Sequence, residues 1–173
     1  NTRYASNIKL KEILNLTAVI QKEDPQKEYL PHYMPFSMQE LSAYYPEMLT
    51  KRRIPGSAYN YGDRMRNQSA FVPIESGLRR DKGEEKKIDQ IKEIIALLKR
   101  RPFSKKAFAV LYRVDDWIRA DTSDTPCMTQ LHARITQNKL FVTAYFRSQD
   151  MFHGWPRNAF ALRRVQKEIA DGV

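Results

Sequence analysis

Cys127 is the only cysteine in a chain of 173 residues, so it has no disulfide partner within the chain. Its worth lies either in packing or in the nucleophilicity of its thiolate. Free thiols are mostly protonated at neutral pH, and a nearby positive charge raises the reactive fraction. Cys127 follows Pro126, at the mouth of a strand predicted over Thr129 to Ile135. Twenty residues further on, Arg147 ends a second strand predicted over Leu140 to Arg147. A turn at Gln137-Asn138-Lys139 folds the two into a hairpin. That hairpin brings Arg147 back beside Cys127, where its charge can stabilise a thiolate and hold a substrate phosphate. Ser148 and Asp150 follow, and eight residues after Asp150 comes Asn158, within Gly154-Trp155-Pro156-Arg157-Asn158. An asparagine amide sets a donor and an acceptor side by side. Taken alone, Cys127 reads as a small core residue and Asn158 as a polar residue near a helix start. Their joint spacing is what points to chemistry.

These residues need elements to position them. Apolar residues Ile8, Leu10, Ile13, Leu14, Val19 and Ile20 fall at helical spacing, so a helix is predicted over Ile8 to Ile20, with Ser6 or Asn7 as its cap. Four prolines make Gln21 to Ile54 irregular, with one short helix around Met38 to Tyr45. Tyr59 to Asn67 is aromatic and arginine-rich. Gln68 to Gly83 reads as a mobile loop with its tip at Arg79-Arg80-Asp81-Lys82-Gly83. The clearest helix runs from about Glu84 to Arg100, with Ile88, Ile91, Ile94, Ile95 and Leu98 in one stripe. Ala107 to Tyr112 suits a buried strand, and Pro156 can open a last helix with Leu162, Val165 and Ile169 inward. The mixture predicts α+β, or a mixed-sheet α/β protein.

Length and composition suit one globular domain. No apolar run approaches a membrane span, and no signal peptide is visible. A chain that begins at Asn1 and stops within a helical pattern is expected to be part of a longer polypeptide. A single free cysteine fits a reducing cytoplasm. The net charge is +10, from 30 Lys and Arg against 20 Asp and Glu. Such a surface attracts phosphate-bearing partners, though basic runs are ordinarily solvated faces. His32, His132 and His153 are too scattered to hold a metal, and no metal is expected.

Pro126-Cys127, the strand pair, Arg147-Ser148-Gln149-Asp150 and Gly154-Trp155-Pro156-Arg157-Asn158 together resemble the thymidylate synthase superfamily. Its pattern is Pro-Cys, then Arg-Ser-x-Asp, then Gly-x-Pro-x-Asn. Tyr61-Gly62-Asp63-Arg64-Met65-Arg66 is similar to the family's Tyr-Gly-x-x-Trp-Arg, and Pro102-Phe103-Ser104-Lys105-Lys106 to its Pro-x-Ser-Arg-Arg. The resemblance covers roughly Tyr61 to Val173, and extends weakly over the first predicted helix. It implies a mixed sheet flanked by helices and a single catalytic domain incomplete at both ends.

It also implies C5 methylation of dUMP through a covalent bond from Cys127 to C6. The one-carbon donor would be 5,10-methylenetetrahydrofolate or a methanopterin-type analogue. Tyr61, Cys127 and Asn158 would be catalytic, Arg147 and Ser148 would bind phosphate, Asn158 would read the base, and Asp150 would contact the pterin. Lys105 and Lys106 would reach a partner's phosphate site across a homodimer. Lysines there keep the charge of the family's arginines but not their planar fork.

Other departures mark a divergent branch. Leu16 falls where the family carries a proton-relaying glutamate, with Glu12 and Glu23 close by. Met128 replaces a histidine and Phe146 a glutamine, and the ribose-reading His-x-Tyr would lie beyond Val173. Two alternatives stand beside methylation. One is a pyrimidine nucleotide hydroxymethylase; the other is a non-catalytic nucleotide- or RNA-binding protein on the same fold, although RNA binding is not itself predicted.

Overall fold

The element that delivers the cysteine is a long hairpin. The computed structural model describes residues 11–21, 27, 29–73, 83–118 and 124–173. Within them β4 (Met128–Thr136) and β5 (Lys139–Phe146) pair antiparallel through a two-residue turn. Gln137 and Asn138 take φ of 48° and 56°, the left-handed pair that matches the twist of a tight hairpin. A short strand, β3 (Phe108–Val110), joins the far edge of β4, giving the order β3-β4-β5. Register shifts between Met128 and Gln130, and the N–H groups of Leu111 and Tyr112 both reach the carbonyl of Thr129 in that bulge. A bulge bends its strand and re-aims the residues before it, here Cys127.

Alternation along the sheet sorts its faces. Ala109, Leu131 and Ala133 are buried on the inner face. Against them pack Ile91, Ile94 and Leu98 of α3 (Gln90–Arg100), and Ala161, Val165 and Ile169 of α5 (Gly154–Gly172). Leu41, Tyr45 and Met48 of α1 (Met38–Leu49) complete this core, with α1 lying along α5. Between α1 and α3 lies α2 (Tyr61–Arg66), whose Gly62 is forced by proximity. A Cβ there would sit 2.2 Å from the carbonyl oxygen of Thr50 at the end of α1. The outer face of the sheet is different: Phe108, Val110, Phe141 and Tyr145 are all exposed, and Phe108 stacks on His132 at 4.1 Å.

The α+β expectation holds. All described strands pair antiparallel, in two small sheets, where a single mixed sheet was expected. Several boundaries also move, each for a local reason. α1 runs on through Pro46 to Leu49 instead of ending at Tyr45, because Met48 continues the buried stripe of Leu41 and Tyr45. Packing of that face outweighs the lost hydrogen bond of an internal proline, which costs ~3 kcal/mol in an isolated helix. Its start is secured by a capping box between Ser37 and Glu40.

The stretch read as a loop from Gln68 holds strand β1 (Gln68–Pro73), paired with β2 (Gly83–Ile88). Residues 74–82, which include all of the expected tip except Gly83, lie outside the described residues. The third helix therefore begins at Gln90 rather than Glu84, since Ile88 pairs with Gln68 and Asp89 caps the helix by accepting from the Lys92 N–H. The Gln90 amide then bonds both the N–H and the carbonyl of Val110, closing one edge of β3. A five-residue helix, α4 (Val114–Ile118), has no counterpart in the sequence reading.

The first predicted helix is a correction. Residues 11–21 are not helical, Asn15 has a left-handed φ of 55°, and Ile13, Leu14, Leu16, Val19 and Ile20 are all exposed. Apolar spacing makes a stable helix only when a surface receives the stripe, and none of the described elements does so. Residues 8–10 and the candidate caps Ser6 and Asn7 lie outside the described residues. No described helix is long and apolar enough to cross a membrane.

Candidate active site

Thr125 and Pro126 are buried and Cys127 is half-buried, just before β4 begins. The segment is held by Arg147, but not as its charge alone suggests. Arg147 Nε donates to the Pro126 carbonyl at 3.0 Å, and Nη2 to the Thr125 carbonyl at 3.0 Å and its hydroxyl at 3.2 Å. Its own N–H reaches the Cys127 carbonyl at 2.8 Å. Arg147 thus clamps the backbone that presents the thiol, while the group touching Sγ is the hydroxyl of Ser148, at 3.4 Å. Arg147 is nonetheless an exposed residue, and its Nη1 takes no part in these hydrogen bonds.

Three tyrosines close the inner side. The Tyr61 hydroxyl accepts from the Met128 N–H at 3.4 Å, and its ring lies 5.5 Å from that of Tyr59. Burial first, and then neighbouring groups that include Cys127, push the hydroxyls of Tyr44, Tyr59 and Tyr61 above the ordinary phenol range. All three stay protonated at neutral pH. Tyr44 donates to Asn158 Oδ1 at 2.6 Å, and Asn158 Nδ2 donates to Gln149 Oε1 at 3.1 Å. Asn158 is 5% exposed, so both ends of its amide need partners. Through these contacts Cys127, Ser148, Tyr61 and Asn158 converge at one end of the β4–β5 hairpin.

Asp150 shapes the start of α5. One carboxylate oxygen accepts from the N–H groups of Phe152 and His153, each at 2.9 Å, and the other faces His153 Nδ1 at 3.2 Å. The backbone hydrogen bond from His153, then that from Phe152, hold this carboxyl below the usual carboxylate range. It is exposed beside exposed Met151 and Phe152, so it keeps acceptor capacity next to an apolar surface. That acceptor beside an apolar surface fits the N–H edge and flat ring of a pterin.

Lys105 and Lys106 are not part of this cluster. They precede β3, whose Phe108 pairs with His132, and the Ala107 carbonyl accepts from Ala133 N–H. That register puts them towards the hairpin turn, roughly 20 Å along β4 from Cys127 at ~3.3 Å per residue. They line a shallow concavity formed by Arg101 to Lys106. Leu16, at the expected glutamate position, lies half-exposed in the non-helical 11–21 segment. Among the described residues no three His, Cys, Asp or Glu side chains gather as metal ligands would.

The sequence reading missed Tyr44, Tyr59 and Gln149. Tyr44 lies 114 residues before Asn158 and carries no spacing signal, whereas Gln149 stood within the motif at its unspecified position.

Similarity to known proteins extends over most of the chain. A protein from Methanosarcina barkeri, provisionally named a thymidylate synthase, is 28% identical over 95% of this chain and 66% of its own length. One from Methanosarcina mazei with the same provisional name is 29% identical over the same shares. The chain therefore spans just under two thirds of these relatives. Thermostable thymidylate synthase A from Bacillus subtilis, a solved structure, aligns at a TM-score of 0.42 and 30% identity, covering 49% of this chain and 30% of that one. The profile described as thymidylate synthase matches residues 45–172, from the end of α1 through α5 and across every residue of the Cys127 cluster but Tyr44, and the chain belongs to the thymidylate synthase family.

Proposed function

We propose that this chain is a catalytic domain that methylates C5 of dUMP, with Cys127 as the covalent nucleophile. The observation that carries the reading is a partly exposed thiol against the Ser148 hydroxyl, with the next residue, Gln149, bonded to the buried Asn158 amide. Cys127 thiolate adds to C6 of uracil, and the C5–C6 electron pair moves onto O4 as an enolate, leaving C5 nucleophilic. A reduced pterin, of the folate or methanopterin type, supplies the one-carbon unit and the reducing equivalent when bound. Covalent addition divides one difficult substitution into easier steps.

Asn158 accepts from N3–H and donates to O4, and cytosine offers the reverse pattern. Ser148 and the exposed side of Arg147 bind the phosphate dianion, Asp150 contacts the pterin, and Tyr61 holds the β4 backbone beside the reacting sulfur. Release of tritium from C5-labelled dUMP in the presence of the pterin tests the reading. Dihydropterin formed in step with release marks methylation, because hydroxymethylation ends with water and leaves the pterin unoxidised. No release at all would return the chain to the nucleotide- or RNA-binding alternative.

The same reading makes the active unit a homodimer. Lys105 and Lys106 are too far from their own Cys127 to share its phosphate, and the outer sheet face exposes Phe108, Val110, Phe141 and Tyr145 for a second copy to cover. Mixing Cys127→Ser protein with a Lys105→Ala/Lys106→Ala variant should restore one functional site per hybrid dimer. Full activity from a strictly monomeric species would sink this arrangement.

A further inference from the structure

The hydrogen bonds around Asn158 run in one direction, and that direction has an origin. The Asp150 carbonyl accepts from the Gly154 and Trp155 N–H groups at the start of α5, which fixes its orientation. It also accepts from Gln149 Nε2 at 3.3 Å. A carbonyl can only accept, so the nitrogen end of the Gln149 amide must face it, leaving Oε1 towards Asn158. Gln149 Oε1 in turn demands the nitrogen end of Asn158, at 3.1 Å, which turns Asn158 Oδ1 towards the Tyr44 hydroxyl at 2.6 Å.

Tyr44 satisfies this orientation but does not choose it. A hydroxyl donates or accepts equally well, so a flipped Asn158 would still be bonded at that end. The polarity comes from Asp150 through Gln149. Gly154 makes the room for it, since a Cβ there would lie 2.6 Å from Gln149 Nε2. The protein uses one N–H and one lone pair of Asn158, leaving one of each for a ligand. For a base docked with its N3 towards Asn158 Oδ1 and its C4 substituent towards Nδ2, the orientation held here complements uracil; flipped, it would complement cytosine in the same pose.

We infer that Gln149 is a positioning residue that selects uracil over cytosine by fixing which way the Asn158 amide faces. The inference rests on the proposed role of Asn158 as reader of the base. Its test is calorimetric binding of dUMP and of dCMP to the intact protein, which needs no turnover. The wild type should prefer dUMP. Gln149→Met, similar in length but without polarity, should reduce that preference about tenfold, since either orientation of Asn158 then costs nearly the same. Gly154→Ala, which displaces the same amide from the helix side, should lower the ratio in the same direction. Tyr44→Phe should weaken both nucleotides and leave their ratio unchanged, a split that a merely structural role for Gln149 would not produce. If wild-type protein is selective and Gln149→Met keeps the ratio, or if Tyr44→Phe alone collapses it, the inference fails while the nucleotide reading stands. If wild-type protein binds neither nucleotide, both fall together.

Discussion

Replacing Cys127 with serine is expected to lower C5 tritium release from dUMP by about 10⁴-fold or more, the scale on which loss of a covalent nucleophile acts. A serine hydroxyl is far less acidic than a thiol, and among the described residues the side chain bonded to this position is itself a hydroxyl. Ser148 Oγ, 3.4 Å from the sulfur, is a hydrogen-bond partner rather than a base. Oxygen for sulfur is a small change in volume at a half-buried position, so unfolding behaviour should stay close to wild type. Reaction with 5-fluoro-dUMP and 5,10-methylenetetrahydrofolate, followed by peptide mapping, gives the direct readout. The adduct should map to Cys127, and one found on another residue would overturn the mechanism.

Asp116→Ala should be the most destabilising single substitution in the scaffold around the site. Arg64 of α2 is 9% exposed and pairs with Asp116 of α4, itself 3% exposed, through Nη2 at 2.7 Å and Nη1 at 3.0 Å. This pair ties the helix that carries Tyr61 to the segment leading towards Cys127. Removing one partner leaves a buried charge uncompensated, which costs about 3–5 kcal/mol. That is a large share of the roughly 5–15 kcal/mol that holds a typical domain folded. Urea unfolding of both proteins at pH 7 measures the difference.

Acid should narrow the gap. Burial works against the Asp116 carboxylate, but hydrogen bonds from Arg64 and the Arg113 N–H, and the charges of both arginines, outweigh it and hold its pKa below the ordinary value. The folded carboxyl being the more acidic one, its stabilisation is complete above an unfolded pKa of about 3.9 and fades as pH falls through the lower folded value. The wild type should lose stability across that range and the variant should not lose this part of it. Parallel decline of the two would show that Asp116 is not the titrating group.

The hairpin was legible because its signals are local. Alternating residues on both arms and a turn that tolerates two left-handed residues placed Cys127 and Arg147 side by side, and the register agrees. The third helix lost its first turn because Ile88 meets both the helical and the strand pattern; its partner Gln68 lies twenty residues earlier, beyond any local signal. Ile8 to Ile20 shows the reverse failure. A convincing apolar spacing stays non-helical over 11–21, where no described surface receives it.

By itself the sequence determined the α+β class, the hairpin, the last helix and the residues able to do chemistry, since each rests on residue type and short spacing. Only the tertiary structure decided what those residues do for one another. It turned Arg147 into a clamp on Thr125 and Pro126, and put Ser148 against the sulfur. It also set Lys105 and Lys106 at the far end of the sheet and brought Tyr44 across 114 residues to Asn158. Hydrogen-bond partners and charges act over a few ångströms in space, and distance along the chain carries no record of which groups folding will bring within that reach.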